Sequence, residues 1–274
     1  MYRIINKQEL AQDVTQITLT AAQIAKKAQA GQFVVVVIDE KGERVPLTLA
    51  DWDKDKGQIT LIFQKVGFTT KKLGALNPGD SVQHILGPLG HPTQAKNLGT
   101  VICIGGGVGI AEVYPVSRAF KETGNRIIGI IGSRSKELLI LEDKMRKVCD
   151  ELFITTDDGS YQRKGLVTDV LKGLFEVVEK STHTKYPDLV YCIGPVPMMQ
   201  AVSEFTRPYR VKTIVSLNPV MVDATGMCGS CRCTVAGKTV FGCVDGPDFD
   251  GHEVDFEELG KRLKLFWEQE RKLS

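Results

Sequence analysis

With 274 residues, 42% of them hydrophobic, the chain is long enough for two compact domains plus a small module, and too apolar for a disordered polymer. Its 35 basic and 33 acidic residues leave a net charge of +2, which gives no overall bias toward nucleic acid or an anionic membrane. No window holds the roughly twenty uninterrupted apolar residues of a spanning helix, and Met1 to Gln8 lack the apolar core of a signal peptide, so a cytoplasmic chain with reduced thiols is expected.

Taken in chain order, residues 1–96 read as β-rich. Val14 to Thr20 alternates, Phe33 to Ile38 is a solid apolar run and Gln58 to Val66 alternates again, with Gly, Pro and Asp turns between them. Short strands of this kind suggest a small antiparallel barrel. Over residues 97–217 the pattern changes to short apolar strands (Thr100 to Ile104, Arg126 to Ile131, Leu152 to Thr155, Leu189 to Ile193) between amphipathic segments, which predicts a parallel sheet with crossover helices. Residues 218–256 form a glycine- and cysteine-rich module. Residues 257–274 follow as a C-terminal helix whose stripe runs through Phe256, Leu259, Leu263 and Phe266. The expected fold class is α/β plus β, an antiparallel barrel, a parallel-sheet domain and a small C-terminal module.

Five segments stand out chemically. Arg44-Val-Pro46-Leu47-Thr48 offers a cationic fork and a hydroxyl, and Gly67-Phe-Thr69-Thr70 offers amides and hydroxyls suited to a diphosphate, though singly each also reads as an ordinary strand or turn. Gly105-Gly106-Gly107-Val-Gly109 follows a strand and opens a helix, the setting in which backbone amides approach a pyrophosphate; a tight turn packing strand against helix needs glycines equally. Gly194-Pro195 begins a second strand-to-helix junction in the same half.

The fifth segment is Asp223-Ala-Thr-Gly-Met-Cys228-Gly-Ser-Cys231-Arg-Cys233, followed by Cys243. Plant-type two-iron clusters use Cys-x4-Cys-x2-Cys and a distant fourth Cys; here Asp223 stands in the first position. Asp223, Cys228, Cys231 and Cys243 therefore read as a metal site. Disulfides and a structural zinc are the alternatives, since Cys-x2-Cys is also a zinc half-site. Cys233, in a strand-like run, reads as a small buried hydrophobe.

The order of these motifs, together with Gly87-Pro-Leu-Gly90, resembles the ferredoxin–NADP reductase superfamily across nearly the whole chain. Within it the chain is similar to electron-transfer subunits that add a C-terminal two-iron cluster. The dihydroorotate dehydrogenase electron-transfer subunit is one relative, with four cysteines around its cluster. The Asp223-x-Thr-Gly-Met-Cys228 start and the Cys243-Val-Asp-Gly-Pro-Asp-Phe-Asp-Gly-His252 ending most resemble the small-subunit family of NADH-dependent reduced ferredoxin:NADP+ oxidoreductases, also described as sulfide dehydrogenase subunits, in which an aspartate joins three cysteines.

The resemblance implies that Arg44, Pro46, Leu47 and Thr48 contact FAD, with Thr48 near the flavin N5 and taking the catalytic position. Gly67, Thr69 and Thr70 would hold the FAD phosphates. Gly105, Gly106, Gly107, Gly109, Gly194 and Pro195 would receive NAD(H), and Asp223, Cys228, Cys231 and Cys243 a [2Fe-2S] cluster. Two departures matter. Pro46 replaces the superfamily's aromatic hydroxyl residue, as in the cluster-bearing branch, and Ile193 replaces the Cys before Gly-Pro, so Cys192 is given no catalytic role. Asp157, after the strand ending at Thr155, would repel a 2′-phosphate and accept a ribose hydroxyl, which favours NADH over NADPH; a mere turn role for it, with phosphate drawn by Arg134 or Arg163, is the alternative.

The implied function is electron transfer between NAD(H), FAD and a [2Fe-2S] cluster to a larger flavin and [4Fe-4S] subunit similar to the glutamate synthase small subunit, where electron bifurcation would occur. The C-terminal helix would dock on that partner or pack on its own domain. His252 reads either as a hydrogen-bond donor to the cluster loop or as a turn residue. An electron-transfer arm of a sulfide, dihydroorotate or hydrogenase-type complex, and a zinc-bearing nucleotide-sensing regulator, are the other readings.

Overall fold

The computed structural model describes residues 1–181 and 185–265, with elements numbered in chain order. The chain divides into two compact units. One gathers Met1–Thr93, Leu217–Pro247 and the chain from Glu257; the other gathers Gln94–Ser216 and Asp248–Phe256.

In the first unit, β1 (Tyr2–Ala11), β2 (Val14–Thr20), β3 (Phe33–Val37), β4 (Arg44–Asp53), β5 (Gln58–Gln64), β6 (Ser81–Val82) and β7 (His84–Leu89) pair antiparallel in the order β6-β1-β2-β5-β4-β3-β7. The two edge strands are separated in sequence by Gln83 alone, whose N–H donates to the carbonyls of Val37 and Ile38 at 3.1 Å, so the sheet curls until its ends meet in a nearly closed barrel. Alternation fills it: Ile17, Leu19, Val34, Val36, Leu47, Leu49, Ile59 and Leu61 form one buried core. Helices α1 (Ala22–Lys27) and α2 (Phe68–Ala75) lie between strands. The cysteine-rich segment adds the hairpin β14 (Arg232–Val235) and β15 (Lys238–Phe241).

The second unit holds β8 (Thr100–Gly106), β9 (Arg126–Ser133), β10 (Glu151–Thr156), β11 (Arg163–Lys164), β12 (Leu189–Ile193), β13 (Thr213–Ser216) and β16 (Asp248–Asp250) in the order β11-β10-β9-β8-β12-β13-β16. All its pairs are parallel except β13 with β16. Helices α3 (Ile110–Glu122), α4 (Glu142–Val148), α5 (Val167–Glu179) and α6 (Val196–Thr206) make the connections. The strand order reverses at β8 and β12, whose carboxyl ends carry the two glycine junctions; such a switch point is where open α/β sheets bind ligands.

Helix α7 (Phe256–Arg262) buries Phe256 and Leu259. Residues 263–265 continue as turns, with i→i−3 hydrogen bonds from Lys264 and Leu265. Phe266 and the rest of the expected helix lie outside the described residues. Among the described residues no helix is long and apolar enough to cross a membrane.

Candidate functional site

The β3–β4 ladder organises the first unit's chemistry. Its register pairs Val37 with Arg44, Val35 with Pro46 and Phe33 with Thr48, and directly opposed residues share a face. Val34, Val36, Leu47 and Leu49 turn into the barrel, so Arg44, Pro46 and Thr48 stand on the opposite face. On that face Phe33 and Val35 join Ala224, Cys231 and Cys243 in a second buried cluster, edged by Leu89, Met221 and Phe241. Leu47 is therefore a core residue, separated by the pleat from the Arg44, Pro46 and Thr48 face.

The cysteine loop curls over this platform. Gly226 and Gly229 have φ of +87° and +68°, a left-handed backbone that L side chains rarely adopt. Cys231 Sγ lies 3.2 Å from Cys243 Sγ, both residues are buried, and all seven cysteines are free. Cys228 is exposed; hydrogen bonds from the Ser230 hydroxyl and then the Ser230 N–H pull its thiol down to about 7, with the Asp223 and Val222 amides adding to the effect. Burial, then the neighbouring Cys231, pushes Cys243 up to about 12, while the Gly226 amide acts in the opposite direction. Burial likewise pushes Cys233 up to about 12; it sits on β14 with its Sγ 3.5 Å from the Cys231 carbonyl, a small buried hydrophobe.

Asp223 completes the loop differently. Its Oδ2 accepts the N–H of Thr225 at 3.1 Å and the Thr225 hydroxyl, and its Oδ1 accepts from Arg44 Nη1, which also reaches the Asp223 carbonyl at 3.3 Å. Among the described residues no three His, Cys, Asp or Glu side chains gather as a single metal ion requires. The donors fit a small iron–sulfur core better: unpaired soft sulfurs, amides aimed at them, and a carboxylate in the same loop.

The expected phosphate loop is a helix start. Gly67 precedes α2, and Thr70 Oγ1 accepts the N–H groups of Val66 and Gly67 at 3.1 Å each. Thr69 donates its hydroxyl to the Glu43 carboxylate, a partner the sequence did not suggest because the two residues belong to different elements.

In the second unit, three of the four motif glycines are closely packed, Gly105 and Gly109 against groups with little room to move and Gly106 against the flexible end of Met198. A Cβ on Gly105 would come within 2.7 Å of Val113 Cγ1, one on Gly106 within 2.4 Å of Met198 Sδ, and one on Gly109 within 2.7 Å of the Ile193 carbonyl. Gly107 differs, with φ +56° and open space before it. Gly194 approaches the Gly106 backbone, and Pro195 caps α6, so both junctions meet. Beyond β10, Asp158 makes the turn by accepting the Ser160 N–H at 2.9 Å and its hydroxyl at 2.7 Å, while Asp157 is exposed. Cys192 is buried, and its thiol is pushed strongly up by burial alone. His252 Nε2 lies 2.9 Å from Thr206 Oγ1, and its other neighbours are Asp250 and Arg207, so its ring is engaged within its own unit.

Residues 218–255 match the family model described as the iron-sulfur cluster binding domain of dihydroorotate dehydrogenase B. The chain is 44% identical to a dihydroorotate dehydrogenase B (NAD(+)) electron transfer subunit homolog of Thermotoga maritima, across 98% of this chain and 92% of that one. It is 32% identical to the dihydroorotate dehydrogenase B (NAD(+)) electron transfer subunit of Shouchella clausii, across 92% and 96%. A solved structure of an NADH-dependent reduced ferredoxin-NADP oxidoreductase, studied for flavin-based electron bifurcation, superposes with a TM-score of 0.92 at 43% identity, covering 100% of this chain and 96% of that one.

Proposed function

Because the chain belongs to the family of dihydroorotate dehydrogenase B electron-transfer subunits and their homologues, we propose that it serves as the NADH-facing electron-transfer subunit of an NADH-dependent reduced ferredoxin:NADP+ oxidoreductase. Its cofactors are FAD, NAD(H) and a [2Fe-2S] cluster. When bound, FAD supplies the exchange between the two-electron hydride of NADH and the one-electron capacity of the cluster.

In this reading Arg44, Pro46 and Thr48 present the outer face of β4 to the flavin, and Leu47 holds that strand by filling the barrel core. Thr48 contributes a hydroxyl at the isoalloxazine, while Gly67, Thr69 and Thr70 offer the start of α2 to the diphosphate. Gly105, Gly106, Gly107, Gly109, Gly194 and Pro195 shape the nucleotide crevice, with Asp157 toward the ribose. Asp223, Cys228, Cys231 and Cys243 hold the cluster. The work of the chain is positioning, and no acid–base triad is needed.

The observation that carries the proposal is the β3–β4 register: Phe33 and Val35 support Cys231 and Cys243, and their direct partners are Thr48 and Pro46. One ladder thus fixes the spacing between the flavin face and the cluster loop. The receiving partner is a larger subunit with flavin and iron–sulfur clusters, similar to the glutamate synthase small subunit. An arm of a dihydroorotate dehydrogenase is the second reading, favoured by the name of the Shouchella clausii relative.

Anaerobic visible and EPR spectra of the purified chain, with iron, sulfide, zinc and flavin quantified before and after NADH, test the proposal. Flavin bleaching with a reduced two-iron signal supports it; stoichiometric zinc without sulfide or flavin removes it. Co-purification with a ferredoxin- and NADP+-reactive subunit, as against a dihydroorotate-oxidising one, separates the two readings.

A further inference from the structure

Arg44 and Asp223 are 179 residues apart, yet the first residue of β4 and the first residue of the cysteine loop form an ion pair. The pairing is two-pronged on the same nitrogen, since Nη1 also donates to the Asp223 carbonyl at 3.3 Å. At its other oxygen the carboxylate is held by Thr225, through the N–H at 3.1 Å and through the hydroxyl. Both oxygens are thereby fixed in direction. A carboxylate has about four lone-pair sites, so three hydrogen bonds to its oxygens still leave it a donor pair. A cysteine in that position would give the guanidinium only a weak sulfur acceptor.

We infer that Arg44 is a positioning residue for Asp223: it fixes the carboxylate for ligation to the cluster and keeps a permanent cation against that ligand, raising the cluster's reduction potential. This rests on the reading of Asp223 as a cluster ligand. Two physical effects point the same way. A carboxylate is free to rotate between one-oxygen and two-oxygen contact with a metal, and anchoring one oxygen to a guanidinium and the other to Thr225 limits that freedom. Reduction of the cluster adds one negative charge, which a neighbouring cation stabilises, and a guanidinium keeps its charge at every working pH. Arg44 also stands on the same face of β4 as Pro46 and Thr48, so a single side chain links the flavin-facing strand to the aspartate.

The test is a double-mutant cycle on the full chain carrying its cluster, with FAD and iron quantified for each protein. Wild type, R44Q, D223C and R44Q/D223C are compared by EPR and by EPR-monitored redox titration. R44Q is expected to move the midpoint potential to a more negative value and to change the g-values, and to shift the potential clearly less in the D223C background, where only the through-space charge of Arg44 is left to lose. Unchanged potential and g-values in R44Q overturn the inference. So does an equal shift in both backgrounds, which makes Arg44 a remote charge and not a support for Asp223. If D223C itself leaves the signal and potential of wild type, Asp223 is no ligand and the underlying reading falls with the inference. Should R44Q fail to fold or lose flavin, R44K decides: it keeps the charge but not the planar fork, so iron release to a chelator is expected several-fold faster than in wild type, and equal release overturns the proposal.

Discussion

Phe33 and Thr48 oppose each other across the β3–β4 ladder, on the face that carries Cys231 and Cys243. Phe33 is 5% exposed and supports the cysteine loop from beneath. Phe33→Ala should therefore lower stability by about 3–5 kcal/mol and release iron more readily than flavin. Urea unfolding and iron content read the two effects, and a stable variant with full iron would show that the loop does not depend on this platform.

Thr48 tests the other side of the same pair. Its neighbours along β4, Leu47 and Leu49, are buried in the barrel, so Thr48→Val keeps shape and leaves the core alone. Loss of one hydrogen bond to the flavin is worth about 0.5–1.5 kcal/mol, which predicts flavin reduction by NADH slowed by about two- to tenfold with flavin content unchanged. Stopped-flow absorbance measures it; an unaltered rate would remove Thr48 from the reaction.

The cysteines divide by their surroundings. Cys228, Cys231 and Cys243 line the glycine loop, whereas Cys233 is on β14 with its sulfur toward the Cys231 carbonyl. Substitution of Cys228, Cys231 or Cys243 by Ser should cut cluster iron and sulfide severely. Cys233→Ala should retain both, at a cost of about 1 kcal/mol for the small cavity. Iron loss in Cys233→Ala equal to that of Cys243→Ser would make Cys233 a ligand in place of Asp223.

Much of the architecture was legible because it is periodic. Val14 to Thr20 alternates as a strand with one face in the barrel, and the β8 and β12 junctions announce themselves by glycine after an apolar run. The Phe33 to Ile38 run was legible as a solid apolar strand, but nothing local told what covers its second face; Cys231, Cys243 and Ala224 come from about two hundred residues away. Pairings such as Arg44 with Asp223 and Thr69 with Glu43 leave no local signature, because their partners are set by how the strands and loops come together. The glycine loop was ambiguous for a physical reason: Gly105 and Gly109 are demanded by packing whether or not a nucleotide binds, and of the four motif glycines only Gly107 has open space. Strand β16 was invisible, being three residues long with two aspartates.

His252 supplies a pH dependence. Burial holds its ring below the ordinary value of 6.5 against the opposite pull of Asp250, with Arg207 adding to the lowering and Glu253 opposing it. The unfolded chain thus binds this proton more readily, so the contribution of His252 to stability is complete above about 6.5 and is lost as pH falls through the folded value. Urea midpoints between pH 8 and 5 should fall less steeply in His252→Gln than in wild type. Parallel slopes would mean that the ring titrates alike in both states.

The proposed role of Asp157 in cofactor choice is open to test. The turn after β10 is made by Asp158, through the Ser160 amide and hydroxyl, which leaves the Asp157 carboxylate exposed at the carboxyl edge of the sheet and not committed to forming that turn. Like charges at about 4 Å repel by about 1 kcal/mol in water and about 4 kcal/mol at an intermediate dielectric. Asp157→Ser should therefore raise the kcat/KM ratio of NADPH to NADH by roughly ten- to a hundredfold, with most of the gain in the NADPH KM. Asp158→Ser, in contrast, should loosen the turn and weaken both nucleotides together. If Asp157→Ser leaves the ratio unchanged, discrimination must lie elsewhere, and Arg134 and Arg163 at neighbouring strand ends become the positions to substitute next.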